Sequence, residues 1–240
     1  MFPNSKAMTI WSRLGVLKKK VLFLLGGLFV NYSSLFAIYS KKSSVRNRVV
    51  NVNTDVCIEG FQRSGNSYLF MCLSVSNPHL RIAHHIHGIA QIRLAVKLGV
   101  PCIVLIRDPA ASLASLLTWD DRLGVDIAIK SYLRYYKGLL SLPMNVFFVD
   151  FEDLIVDVNK VIRAFNECYM LGIKELSMTK TELKAVMNDR QHKYINRASA
   201  PFPNKIKRIS NSKNKEIILT HDDFLDAQKL YTVVKGRVSY

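Results

Sequence analysis

The sequence predicts an α/β protein, a three-layer sandwich with a central parallel sheet between helical layers. Three observations lead there. Residues 101–106, Pro-Cys-Ile-Val-Leu-Ile, form a continuous apolar run, the mark of a strand buried on both faces of a parallel sheet. Short strand-like runs alternate with segments of helical spacing between residues 56 and 171, the order of right-handed βαβ units. Residues 56–75 join a strand-like start, a glycine-bounded polar turn and an apolar run, the succession that builds an anion site at a helix N-terminus.

The first 50 residues differ from the rest. Lys18, Lys19 and Lys20 precede residues 21–40, which carry no charge, and Lys41 and Lys42 follow. Twenty uncharged residues can just span a bilayer. Asn31, Ser33, Ser34 and the pair Gly26-Gly27 dilute the stretch, so a helix lying in the interface and a buried N-terminal helix stay open beside a span. Membrane attachment is the expectation. Basic residues at both ends give no orientation, and no small-residue cleavage site marks a secretory signal. Residues 43–55 read as a polar, basic linker. The expected division is therefore 1–50, a membrane-associated helix and linker, and 51–240, a catalytic domain.

Along that domain, Val56, Cys57 and Ile58 start a strand and residues 67–75 read as the helix after the turn. Asn77-Pro78 marks a turn, and residues 80–83 a second strand ending at His84-His85-Ile86-His87-Gly88. Ile89, Ile92, Val96 and Leu98 have near-helical spacing, with Gly99 as the stop. The strand at 101–106 runs into Arg107-Asp108-Pro109 and a helix carrying Ala111, Ser112, Ser115 and Leu116. A further helix is expected at about 125–140, a fourth strand at 145–149, and one helix from Phe151 to about Leu171. Residues 190–215 hold eight Lys or Arg and no acid, with Pro201 and Pro203, and read as a mobile basic loop, either solvated or a flap over an anion.

The net charge of +16 calls for an acidic partner. No RNA-binding aromatic signature or zinc finger is present, so a nucleotide or anionic lipid is expected rather than nucleic acid. Cys57, Cys72, Cys102 and Cys168 lie in apolar runs without C-x-x-C spacing and read as reduced core thiols.

The turn reads G-x-x-x-x-G-N-S, one residue from the nucleotide-binding G-x-x-x-x-G-K-[ST]. Asn66 stands where an NTPase needs a lysine, so the loop suits a phosphate or sulfate without ordinary ATP chemistry. Arg63, inside the loop, offers a planar fork matched to a tetrahedral oxyanion. In parallel sheets ligands collect at the carboxyl ends of the strands, where Arg63, the histidines and Arg107 all fall. Arg107 either binds an anion or pairs with Asp108 or Asp120. His84, His85 and His87 lack a helical ligand spacing and an acidic or Cys partner, so no metal is expected.

The motifs Gly60-Phe-Gln-Arg-Ser-Gly-Asn-Ser-Tyr-Leu69 and Ile106-Arg-Asp-Pro-Ala-Ala-Ser-Leu-Ala-Ser115 resemble the two cofactor motifs of sulfotransferases that use 3′-phosphoadenosine 5′-phosphosulfate (PAPS). Phe151-Glu152-Asp153-Leu154 resembles that family's [FY]-E-D-L strand end, and Ala227 to Tyr231 a terminal helix of its bacterial members. The resemblance covers roughly residues 55–170. It implies a P-loop NTPase-like fold and sulfuryl transfer from PAPS to an acceptor hydroxyl of a glycan, lipid or small molecule. It also implies Gln62, Arg63, Ser64, Gly65, Asn66 and Ser67 around the 5′-phosphosulfate, Arg107 and Ser115 on the 3′-phosphate, and a histidine as base. His85 is the first choice for the base and His87 the next. Arg63 replaces the lysine of many members, keeping the charge without a transferable proton. Because PAPS is made in the cytosol, the implied placement is the cytoplasmic face of a bacterial inner membrane rather than a Golgi membrane. The competing expectations are a kinase-like nucleotide-binding protein and a membrane-associated homologue without activity.

Overall fold

In a computed structural model, which describes residues 10–143, 145–190 and 205–240, four strands form one parallel sheet. β1 (Val56–Gly60), β2 (Ile82–His84), β3 (Cys102–Ile106) and β4 (Phe147–Asp150) lie in the order β2-β1-β3-β4. Their side chains alternate between two cores, as the period of two in a strand requires. Cys57, Cys102, Val104, Ile106 and Phe148 point into one; Val56, Ile58, Ile103, Leu105, Phe147 and Val149 into the other. The first is covered by α5 (Ile89–Lys97), α6 (Pro109–Trp119), α7 (Val125–Leu140) and α12 (Phe224–Lys235). The second is covered by α4 (Asn66–Ser76), α8 (Phe151–Val156) and α9 (Val158–Tyr169). That is helix, sheet, helix: the three layers expected.

The chain leaves β1 to one side to form β2, then crosses to β1's other side for β3. Such a reversal opens a crevice beyond the carboxyl ends of the two central strands. The loop 60–65 follows β1, and Arg107 follows β3, so both motifs are delivered to that crevice.

Several elements differ from expectation. The single helix expected after Phe151 is two. Asp157 ends α8 in an extended conformation and its carboxylate accepts from the Asn159 and Lys160 amides, starting α9. The basic 190–215 stretch is not a loop over its described part. Residue 190 ends α10 (Lys180–Arg190), and α11 (Lys205–Leu219) packs on α6, with Ile218 buried and Asn214 Nδ2 donating to Thr118 Oγ1 at 2.9 Å. Lysine and arginine are good helix formers, and an apolar anchor decides the rest. Residues 191–204, with Pro201 and Pro203, lie outside the described residues. Cys57, Cys72 and Cys102 are buried, but Cys168 is exposed, because α9 turns that position away from its buried stripe of Val161, Ile162 and Phe165.

The N-terminal stretch is not one continuous helix. α1 (Ile10–Asn31) and α2 (Ser33–Tyr39) meet at a 109° bend. No single described helix is long and apolar enough to cross a membrane; the bent pair passes that test by length and composition alone. The bend has a local cause. Asn31 Nδ2 turns back to the Gly27 carbonyl at 2.6 Å while its Oδ1 accepts from the Ile89 amide, so a side chain competes for the backbone at that turn. Lys19 pairs with Asp120, and Val30, Phe36, Val45 and Val49 pack on Ile86 and Ala90. Residues 43–55 include α3 (Ser43–Arg46) and contribute to this third core. The described residues before 51 thus form a wall of the α/β body.

Candidate functional site

Two glycines fix the loop. A Cβ on Gly60 would stand 2.6 Å from the Leu105 carbonyl oxygen of the neighbouring strand, so only glycine lets β1 and β3 approach there. Gly65 takes φ +97° as the residue before α4, and a Cβ there would press on the Phe151 ring at 2.9 Å. Asn66 Nδ2 donates to the Phe61 carbonyl at 3.1 Å. The residue in the NTPase lysine position therefore staples the loop to itself. Ser64 Oγ is buried and pairs with no described residue, a donor left for something inside the loop. Ser67, at the first turn of α4, shares a 2.8 Å hydrogen bond with His85 Nε2.

The cations gather beside it. Arg63, at the left-handed φ of 69°, sends Nε to Ser115 Oγ at 3.0 Å. Arg107 donates from Nη1 to the Arg63 carbonyl at 2.7 Å and lies 3.8 Å over the Phe151 ring. Its backbone is clamped by two tyrosines of α7. The Arg107 amide donates to Tyr136 Oη at 2.8 Å, and Tyr132 Oη donates to the Arg107 carbonyl at 2.8 Å. Neither acid foreseen as its partner takes it: Asp108 caps α6 through the Ala111 amide, and Asp120 is held by Lys19 and Arg122. Arg107 Nε is buried without a partner among the described residues. Burial, with Arg107 alongside, pulls the Arg63 guanidinium down to about 10, and burial lowers Arg107 as well. Glu152 and Asp108 act on Arg107 only at a distance; two partly buried guanidinium groups without an ion pair among the described residues raise the affinity of the crevice for an anion.

The histidines sit on the other side of the loop, and Glu59 holds them. This carboxylate, fully buried in β1, accepts from the Ile86 amide at 3.1 Å, the His87 amide at 2.8 Å and Gln91 Nε2 at 3.1 Å. These bonds fasten a segment in which His85 (φ 58°) and His87 (φ 59°) are both left-handed, a conformation that non-glycine residues keep only under such restraint. His85 has both ring nitrogens engaged, Nε2 by Ser67 and Nδ1 against His84 Nδ1. His87 Nδ1 donates to the Gly60 carbonyl at 2.9 Å, which leaves Nε2 as its basic nitrogen. The His84 ring lies 3.8 Å from that of Phe70, tilted by 31°. Burial lowers all three, His84 and His87 to about 4 and His85 to about 3, and raises Glu59 to about 7.

The fold should therefore weaken in mild acid. Between pH 6.5 and about 4 the unfolded chain takes up protons on histidines that the folded chain keeps neutral, so their contribution is full above pH 6.5 and is lost as pH falls. Glu59 acts oppositely: it stays protonated when folded between pH 4.5 and about 7, so its contribution is lost as pH rises through 7. Three groups outweigh one, and Tm should drop as pH is taken from 6.5 to 4.5. In Glu59→Gln the opposing group is gone and one amide loses its acceptor. That variant should be about 1–3 kcal/mol less stable at pH 7 and decline more steeply in acid. Thermal unfolding across this range checks both; a Tm unchanged between pH 6.5 and 4.5 would contradict the neutral histidines.

A cleft of about 210 Å³ adjoins His87. Gln62 and Phe61 of the loop, Ser131, Arg134 and Tyr135 of α7, and Leu22, Gly26, Gly27 and Val30 among the α1 residues line it. Among the residues singled out from sequence, the structure brings Arg63, Arg107 and Ser115 into one cluster and Ser67 and His85 into another. Gln62 faces the cleft, Asn66 the loop's own backbone, and His87 rather than His85 reaches the cleft wall. Arg63 meets Ser115, not the loop interior expected for it. Among the described residues no group of three or more His, Cys, Asp or Glu could hold a metal ion. Sequence reasoning missed Glu59, Tyr132, Tyr136 and Phe151's stacking role. An acid inside an otherwise apolar strand was the available signal for the first. Comparison with family models, with curated proteins and with solved structures returns no match to this chain.

Proposed function

We propose that this chain is a PAPS-dependent sulfotransferase with the P-loop NTPase-like sulfotransferase fold, acting on an acceptor hydroxyl. The single observation that carries the reading is the pair Arg63 and Arg107, joined by the Arg107 Nη1 bond to the Arg63 carbonyl and without an ion pair among the described residues, beside a glycine-bounded loop that lacks the NTPase lysine. ATP chemistry needs a cation that reaches the β- and γ-phosphates. Here the Asn66 amide is committed to the loop backbone, whereas the Arg63 cation turns to Ser115 of α6.

Bound PAPS supplies a sulfuryl group, whose bond to the 5′-phosphate oxygen breaks as the acceptor oxygen bonds sulfur, the electron pair leaving with adenosine 3′,5′-bisphosphate. The chain's residues do the remainder. Ser64, Ser67 and the amides at the start of α4 hold the 5′-phosphate end through hydrogen bonds and the helix dipole. Arg107, Arg63 and Ser115 hold the 3′-phosphate, a fork geometry suited to it. His87 Nε2 takes the acceptor proton, its ring oriented by the Gly60 carbonyl. His85, whose nitrogens are engaged, steers Ser67. Catalysis is mostly positioning and charge stabilisation.

Attachment to the cytoplasmic face of a membrane is part of the proposal. Leu17, Val21, Leu22 and Leu25 of α1 are exposed on a helix that also carries Lys18, which supports a helix lying in the interface. The deciding experiment is calorimetric titration of the full chain with adenosine 3′,5′-bisphosphate, ATP–Mg²⁺ and 5′-AMP. Tight binding of the bisphosphate alone is expected; preference for ATP–Mg²⁺ would sink the reading in favour of a kinase-like protein.

A further inference from the structure

We propose that the cleft between α1 and the loop takes an anionic amphiphile: a hydroxyl at His87, an acidic group at Arg134 and an apolar part along α1. That this ligand is the acceptor rests on the sulfotransferase reading; its chemistry rests on the cleft itself. The volume, about 210 Å³, exceeds the roughly 150 Å³ of a cavity that takes up benzene, so it accommodates a group of about one ring and no large glycan. Arg134 lines the cleft, yet no described residue offers its guanidinium an ion pair or hydrogen bond. A guanidinium in the wall of a small, largely apolar cleft selects an anion in whatever enters.

The opposite wall is built for something apolar. Gly26 and Gly27 leave the α1 side open: a Cβ on Gly26 would meet nothing within 4 Å, and one on Gly27 only Arg134 Nη1 at 3.5 Å. Leu22 lines the cleft and is 57% exposed, and Leu25 on the same helix is 45% exposed, so an apolar tail leaving the cleft stays on apolar surface. A soluble, wholly polar acceptor would leave this wall uncovered.

The test uses the full chain and three probes in calorimetry, each with and without saturating adenosine 3′,5′-bisphosphate. Dihexanoylphosphatidylglycerol carries a phosphate, free hydroxyls and short tails; glycerol 1-phosphate lacks the tails; octyl glucoside lacks the charge. The phosphatidylglycerol should bind at least tenfold more tightly than either control. Arg134→Gln and Gly26→Leu should each weaken it at least tenfold, with bisphosphate affinity changed less than twofold. Gly26→Leu fills open space, so it tests the cleft without disturbing the core. Equal binding of either control, or indifference to both substitutions while the bisphosphate still binds, overturns the amphiphile site and leaves the donor site standing. Lipid binding without any bisphosphate binding overturns the acceptor role instead.

Discussion

Arg107→Ala should raise the Kd for adenosine 3′,5′-bisphosphate by about a hundredfold or more and bring it close to that of 5′-AMP. Hydrogen bonds to a charged group contribute about 1.5–3 kcal/mol, and a guanidinium fork makes two of them to one phosphate, against 1.4 kcal/mol per tenfold in affinity. The fold should survive. The segment's backbone is held by Tyr132 and Tyr136 through the Arg107 amide and carbonyl, which the substitution keeps. What goes is the bond to the Arg63 carbonyl and the contact with Phe151, a loss of about 1–2 kcal/mol in stability. Arg107→Lys separates charge from shape. It restores a cation but not a fork or a stacked plane, so its affinity should fall between those of Ala and the native chain. Calorimetry with both nucleotides, next to thermal unfolding, distinguishes a lost ligand contact from a lost fold. An unchanged bisphosphate Kd in a folded Arg107→Ala chain would remove the 3′-phosphate role.

The sheet and the glycine-bounded turn after its first strand were legible because each rests on local chemistry. An unbroken apolar run such as 102–106 has one economical placement, the middle of a parallel sheet, and glycines at 60 and 65 bracket a turn whatever surrounds it. What escaped depends on contacts between distant residues. Arg63 looked like a loop ligand, but its partner Ser115 is 52 residues away on α6. His85 and His87 are two residues apart and chemically alike; only Ser67 of α4 and His84 on the His85 ring, and the Gly60 carbonyl of β1 on the His87 ring, decide which has a free nitrogen. The 21–40 stretch shows the same limit. Its lack of charge is what a membrane asks for, yet Asn31 spends its amide on Gly27 and Ile89, and the helix turns at that point.

The choice between those two histidines sets the remaining large effect. His87→Ala should lower turnover by about 10²–10⁴, the range for a lost general base, while the Kd for the bisphosphate changes less than threefold. Turnover is read as bisphosphate release from PAPS with dihexanoylphosphatidylglycerol as acceptor. His85→Ala should do the reverse in part: it frees Ser67 Oγ from its ring partner, so donor affinity suffers more than the chemical step. Collapse of turnover in His85→Ala with His87→Ala still active would return the base to His85. The pH dependence adds a test that a packing defect does not mimic. In the free chain burial holds His87 at about 4, so its imidazole is already neutral at physiological pH. An anionic donor beside it favours the charged ring, and its pKa must rise on binding. The acid limb of kcat should therefore lie at higher pH than that of kcat/KM, which reports the free chain. The same upward movement should be visible in the ¹⁵N shifts of the His87 ring when the chain is saturated with bisphosphate. A ring whose titration ignores the bisphosphate is too far from the transferred group to take the acceptor proton.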